Sequence, residues 1–165
     1  LWVWLWLNEM LLLSVVVMLF ILLALLKLVF VLRLEIWDAP MKTIALVWWP
    51  MDIYVGWISV AMVANVSAYL STLNFSLGLM ESSWVIIMIV VVTIINFLMV
   101  TKRNMREFAA VGIWALAAIA VRHWGEIPTI QWTAVFACLF LFIVNSIHAQ
   151  RNKATLPFIA KKWKE

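Results

Sequence analysis

The sequence predicts an all-α fold, a polytopic transmembrane helical bundle of five full spans preceded by the end of a truncated one. Three observations predict it. Of the 165 residues, 67% are hydrophobic and 12% charged, too little polar surface for a water-soluble domain of this length. Apolar runs near the roughly 20 residues that cross a hydrocarbon core recur along the chain. The lysines and arginines fall almost entirely in the short segments between those runs and in the C-terminal tail.

Leu1–Leu7 is too short to span and reads as the last turns of a helix whose beginning, with more chain before it, is missing here. Asn8-Glu9 interrupts it, with Glu9 near an interface and Asn8 placed to cap the next helix. Met10 to Leu32 is a Leu/Val run and the plainest span, from whose last turns Lys27 can snorkel toward the side of Arg33. Leu34 to Lys42 is a loop, marked by Glu35, Asp38 and Pro40. A helix from about Thr43 to Leu70 follows, in which Pro50 removes a backbone donor and predicts a kink.

Ser71 to Ser82 reads as a polar turn containing Asn74, Gly78 and Glu81. Ser83 to Val100 is an Ile/Val span with Thr93 and Asn96 as its polar residues. Thr101 to Glu107 is a basic loop, Phe108 to Val121 a shorter Ala-rich span, and Arg122 to Thr129 a Gly/Pro turn. Ile130 to Ile147 is the last span and Gln150 to Glu165 a basic tail. Short loops rich in Lys and Arg stay in the cytoplasm. The helix count places the loops around Arg33 and Arg103 and the tail on one side, so the expected C-terminus is cytoplasmic.

Soluble catalytic signatures are absent: the sequence has no Gly-rich phosphate loop, no paired His spacing for zinc and no nucleophile elbow. No catalytic or metal-ligating set is assigned, and the scattered basic residues give no nucleic-acid surface. Cys138 lies in an apolar run and reads as a small buried hydrophobe. His123 and His148 fall near opposite ends of their spans and are not expected to share a metal.

The most unusual stretch is WWPMDIYVGWISVAMVANVSAY, Trp48 to Tyr69. At helical pitch Pro50, Tyr54, Trp57, Ala61, Asn65 and Ala68 share one face, aromatic rings alternating with small residues. Trp57 is too deep for the interfacial aromatic belt that suits Trp37, Trp84, Trp124, Trp132 and Trp163. It either fills a core gap or lines a flat pocket. Asp52, set inside the helix, either stays at the headgroup level behind Pro50 or makes a polar contact to a ligand or a basic neighbour. Asn65, Asn96 and Asn145 are placed for hydrogen bonds between helices.

The order carried by Pro50, Tyr54, Trp57, Ala61 and Asn65 resembles the last helix of the tryptophan-rich sensory protein/translocator protein family (TspO/MBR). The W-x3-A-x3-N part matches in spacing, with the tyrosine three residues later than usual. The run ALVWWPMDIYVGWISVAMVANVSAYL, with LNEMLLLSV before it and KRNMREFAAVGIWALAAIA after it, is similar to the bacterial branch that carries extra C-terminal spans. The resemblance implies that residues 1–75 are the C-terminal part of a TspO-like bundle. Residues 76–149 would then be three additional transmembrane helices and 150–165 a basic cytoplasmic tail.

It further implies a pocket for a tetrapyrrole such as haem or porphyrin, lined by Trp57 and Ala61 with Tyr54 and Asn65 as companions; Asp52 joins the candidate ligand site as the polar contact read above. The ligand would be a partner rather than a required cofactor, and the protein a sensor, regulator or transporter in the bacterial inner membrane. Porphyrin breakdown rests on the resemblance alone, so the expectation is a non-enzymatic protein. Besides the lipid bilayer, a homodimer or larger membrane complex is an expected partner. The alternative is a structural accessory subunit docking through Ser83–Val100.

Overall fold

The structure is a computed structural model that describes residues 1–36, 39–73 and 81–151. The readings placed on Trp37, Asp38, Asn74, Gly78, Trp163 and the tail beyond Arg151 lie outside these residues. Described residues form helices joined by turns: α1 (Trp2–Leu7), α2 (Leu11–Val31), α3 (Met41–Thr43), a π-helical turn (Ile44–Trp48), α4 (Trp49–Thr72), α5 (Glu81–Arg103), α6 (Arg106–Arg122) and α7 (Pro128–Arg151). α3, the π turn and α4 run on as one helix, Met41–Thr72. Among the described residues four helices are long and apolar enough to cross a membrane: Leu11–Val31, Met41–Thr72, Ser82–Arg103 and Pro128–Arg151. The Phe108–Val121 segment, expected to be a fifth span, lies in α6, which has 17 residues and reaches only about 25 Å at 1.5 Å per residue.

Each long helix buries a narrow stripe and leaves the rest apolar and exposed, as a lipid-facing helix requires. In α2 the stripe is Ser14, Met18, Leu25 and Val29, spaced by four and seven residues and therefore on one face. α4 turns toward α2 and α6, while α6 and α7 pack closely and α5 lies against both. One core gathers Met18, Val29, Leu34, Val55 and Ile58 around Met105 and Phe108 of the α6 start. A second joins Ile89, Leu116, Ala120, Ile130 and Leu141 among α5, α6 and α7.

Three local findings differ from the sequence reading. Asn8 closes α1 rather than capping α2: its Nδ2 donates to Trp4 O at 2.8 Å, and α2 has no side-chain cap. The disturbance at Pro50 takes the form of the π turn just before it. Trp49 N–H donates to Ile44 O, five residues back, because proline offers no N–H for the regular ladder. Asn96 bonds within its own helix, to Val92 O at 2.8 Å, whereas Asn65 and Asn145 do reach other helices.

At the C-terminus of α2 the chain turns sharply through Arg33, whose φ is +51°. Arg33 N–H donates to Phe30 O and Leu34 N–H to Val29 O at 3.3 and 3.2 Å, the paired bonds that close a helix around a left-handed residue. Leu34 is fully buried beneath this turn, which anchors the following Glu35 (φ +59°) at the end of the bundle.

Candidate functional site

α4 has two chemically distinct sides. On the outer side Tyr54 is 46% and Trp57 45% exposed, with Pro50, Ile53 and Ala64 exposed beside them. Trp57 therefore does not fill a core gap. Ala61, one turn on, is half-buried and packs at the margin of the first core. Together these residues make a shallow apolar strip with two rings and two small side chains.

The inner side is polar where it is deepest. Asn65 is buried and donates from Nδ2 to Ser14 Oγ at 2.9 Å, with Met18 Sδ at 3.7 Å. Ser14 in turn donates to Trp2 O at 3.3 Å, so the asparagine fastens α4 to α2 and the end of α1. Asp52 lies about 140° around the helix from Trp57 at 100° per residue. It is fully buried within the protein. The five residues expected at one ligand site thus divide: Tyr54, Trp57 and Ala61 stay together, while Asn65 and Asp52 face other helices.

Asp52 instead meets two acids that the sequence assigns to loops. One carboxylate oxygen each from Glu35, Asp52 and Glu107 lie within 4.8 Å of one another. Glu35 comes from the turn after α2, and Glu107 from the first turn of α6. Burial first, then the charge of Glu107, push the Glu35 carboxyl up to about 7, against the pull of Arg106. Arg103 Nη2 donates to Val29 O at 3.1 Å, and its guanidinium sits 4.8 Å over the Phe30 ring. Asn145 Nδ2 donates to Arg106 O at 3.4 Å, which ties α7 to the same end. Local periodicity carries no signal for this meeting, because each acid belongs to a different element.

At the opposite end an open groove of about 610 Å³ runs between the α1–α2 junction and the end of α4, lined by Glu9, Met10, Leu13, Tyr69 and Thr72. None of the five expected site residues lines it.

The family model described as TSPO-like protein matches residues 1–147. The chain belongs to the TSPO-like family. Comparison with curated proteins and with solved structures gives no match. The family and the four described helices fit to span a bilayer together make this chain a membrane protein. Its Tyr54–Trp57–Ala61 strip is the part of the expected ligand site that the fold keeps together.

Proposed function

We propose that this TSPO-like protein binds a tetrapyrrole or similarly flat hydrophobic ligand in the membrane, as a sensor, regulator or transporter. One observation supports the reading above the others: Tyr54 and Trp57 stand a turn apart on a face of α4 left exposed beside Ala61 and Ala64. An indole and a phenol flanked by small side chains offer a planar ligand a stacking surface with room for its edge. Lipid tails alone would be served as well by Leu or Val. Ala61 sets the depth of the strip. Asn65, committed to Ser14, holds α4 in place instead of reaching the ligand. The basic loops and tail support a cytoplasmic C-terminus under the positive-inside rule.

The test is titration of protoporphyrin IX into the purified full chain in lipid nanodiscs, followed by the Soret band and tryptophan quenching. The expected result is saturable binding that Trp57→Ala weakens by about tenfold, which is about 1.4 kcal/mol and within the range of one lost ring contact. Ala61→Phe fills the strip and abolishes binding. Saturable binding indifferent to both changes removes this site. Failure to bind any flat ligand, together with co-purification in a larger assembly, would favour a structural subunit using the exposed Val90, Ile94 and Phe97 of α5.

A further inference from the structure

We propose that Glu35, Asp52 and Glu107 form a binding site for one hard divalent cation (Mg²⁺, Mn²⁺ or Ca²⁺), where the turn after α2 and the start of α6 close over the inner side of α4. Glu35 and Glu107 alone would be an acidic pair of a common kind. The separate observation is Asp52, which reaches toward them from a third element. It is 0% exposed, and neither Oδ1 nor Oδ2 has a hydrogen-bond partner. Glu35 Oε1 and Glu107 Oε2 are enclosed and unpartnered as well. A buried carboxylate oxygen without a donor carries its full desolvation cost, and three gathered at one point also repel one another.

The spacing suits an ion. Oxygens facing each other across Ca²⁺ stand about 5 Å apart, and across Mg²⁺ about 4 Å, from their usual bond lengths. Three donor oxygens within 4.8 Å therefore suit Ca²⁺ as they stand, and the smaller Mg²⁺ once the side chains draw in around it. All three donors are carboxylates, which suits Mg²⁺, Mn²⁺ or Ca²⁺ and disfavours the softer metals that take sulfur or imidazole.

The neighbouring arginines do not fill the same role. Among the described residues no ion pair joins Arg103 or Arg106 to these carboxylates. Arg103 is turned toward Val29 O and Phe30, and the buried Arg106 leaves Nε and Nη1 unpartnered. Two guanidiniums soften the repulsion among three carboxylates and leave one negative charge, which a divalent cation reverses. The site lies across α4 from the aromatic strip and does not depend on a ligand there.

Mn²⁺ titrated into the full chain in detergent micelles, with free Mn²⁺ followed by electron paramagnetic resonance, tests this. One saturable site per chain is expected, displaced by Ca²⁺ or Mg²⁺. Glu35→Gln and Glu107→Gln should each weaken it about tenfold or more, because each removes a charged ligand. Glu126→Gln, at the other end of α6, should leave it unchanged. Binding to a site present only in the folded protein must also raise the melting temperature, so Mn²⁺ should shift the wild-type melt more than that of Glu107→Gln. The wild-type melt keeps the test decisive even if a glutamine variant fails to fold. Absence of a saturable site, wild-type affinity in both glutamine variants, or a wild-type melt that Mn²⁺ does not move would each overturn the proposal and leave shared protons to reconcile the carboxylates.

Discussion

Glu35 is an acid whose surroundings act on it more than its sequence neighbours do. It follows a left-handed Arg33 and a fully buried Leu34, and that turn presses it against Asp52 and Glu107. Its carboxyl, raised from 4.5 to about 7, holds a proton more tightly in the folded chain than in the unfolded one. Protonation therefore favours the fold: the contribution is complete below about 4.5 and is lost as pH rises to about 7. In chelator, the melting temperature should fall across that window, and Glu35→Gln should lessen the slope; an unaltered slope would assign the dependence to another group. Asp52 stood out in the sequence as a lone acid in an apolar helix, and Asn65 was legible as an interhelical donor. Their partners were not, because no local spacing links Glu35, Asp52 and Glu107, or Ser14 and Asn65. What the pattern of Trp57 left open, core filler or pocket wall, was decided by which face of α4 its neighbours cover.

At the scale of elements, α6 is the helix around which the others close, and small residues are the means. A Cβ added at Gly56 would stand 3.1 Å from Val111 Cβ and 3.2 Å from Phe108 O, so α4 and α6 approach nearly backbone to side chain. A Cβ added at Gly112 would fall onto the Asn96 side chain of α5, which is buried and held to Val92 O. Close approach through small residues is how helices gain packing when lipid is the alternative surface. Gly112→Val should displace Asn96 and cost about 1–3 kcal/mol, measured as a lower unfolding midpoint in a mixed-micelle denaturation series. A midpoint equal to wild type would mean that α5 and α6 slide apart without loss. Helix existence was readable here because long apolar runs and intervening charges announce themselves, and the observed ends fall a few residues from those expected. The π turn was not readable. Proline announces a missing donor, but whether the helix kinks or shifts register depends on the core that Trp48 and Val55 enter.

Across the whole molecule, the same helices decide how the chain sits in a bilayer. α5 and α7 are each long enough to span, and α6 lies against both. Only Asn104 and Met105 separate α5 from α6, and only His123 to Ile127 separate α6 from α7. Connections this short join antiparallel neighbours, so the two ends of α6 must lie at opposite ends of the bundle. Its reach of about 25 Å falls short of a hydrocarbon core near 30 Å, a mismatch that local thinning and the flanking Arg106 and Arg122 can absorb. If α5 and α7 both cross, α6 has to cross with them. Cys138 is the sole cysteine, half-buried with Sγ 3.6 Å from Ile113 O, so Cys138→Ser gives a silent background. In that background, cysteines placed one at a time at the exposed Thr101 and Thr129 should react with a membrane-impermeant maleimide from opposite sides. With the basic end in the cytoplasm, as proposed from the positive-inside rule, inside-out vesicles should label Thr101→Cys and right-side-out vesicles Thr129→Cys. Labelling of both from a single side would make α6 a re-entrant segment rather than a crossing one.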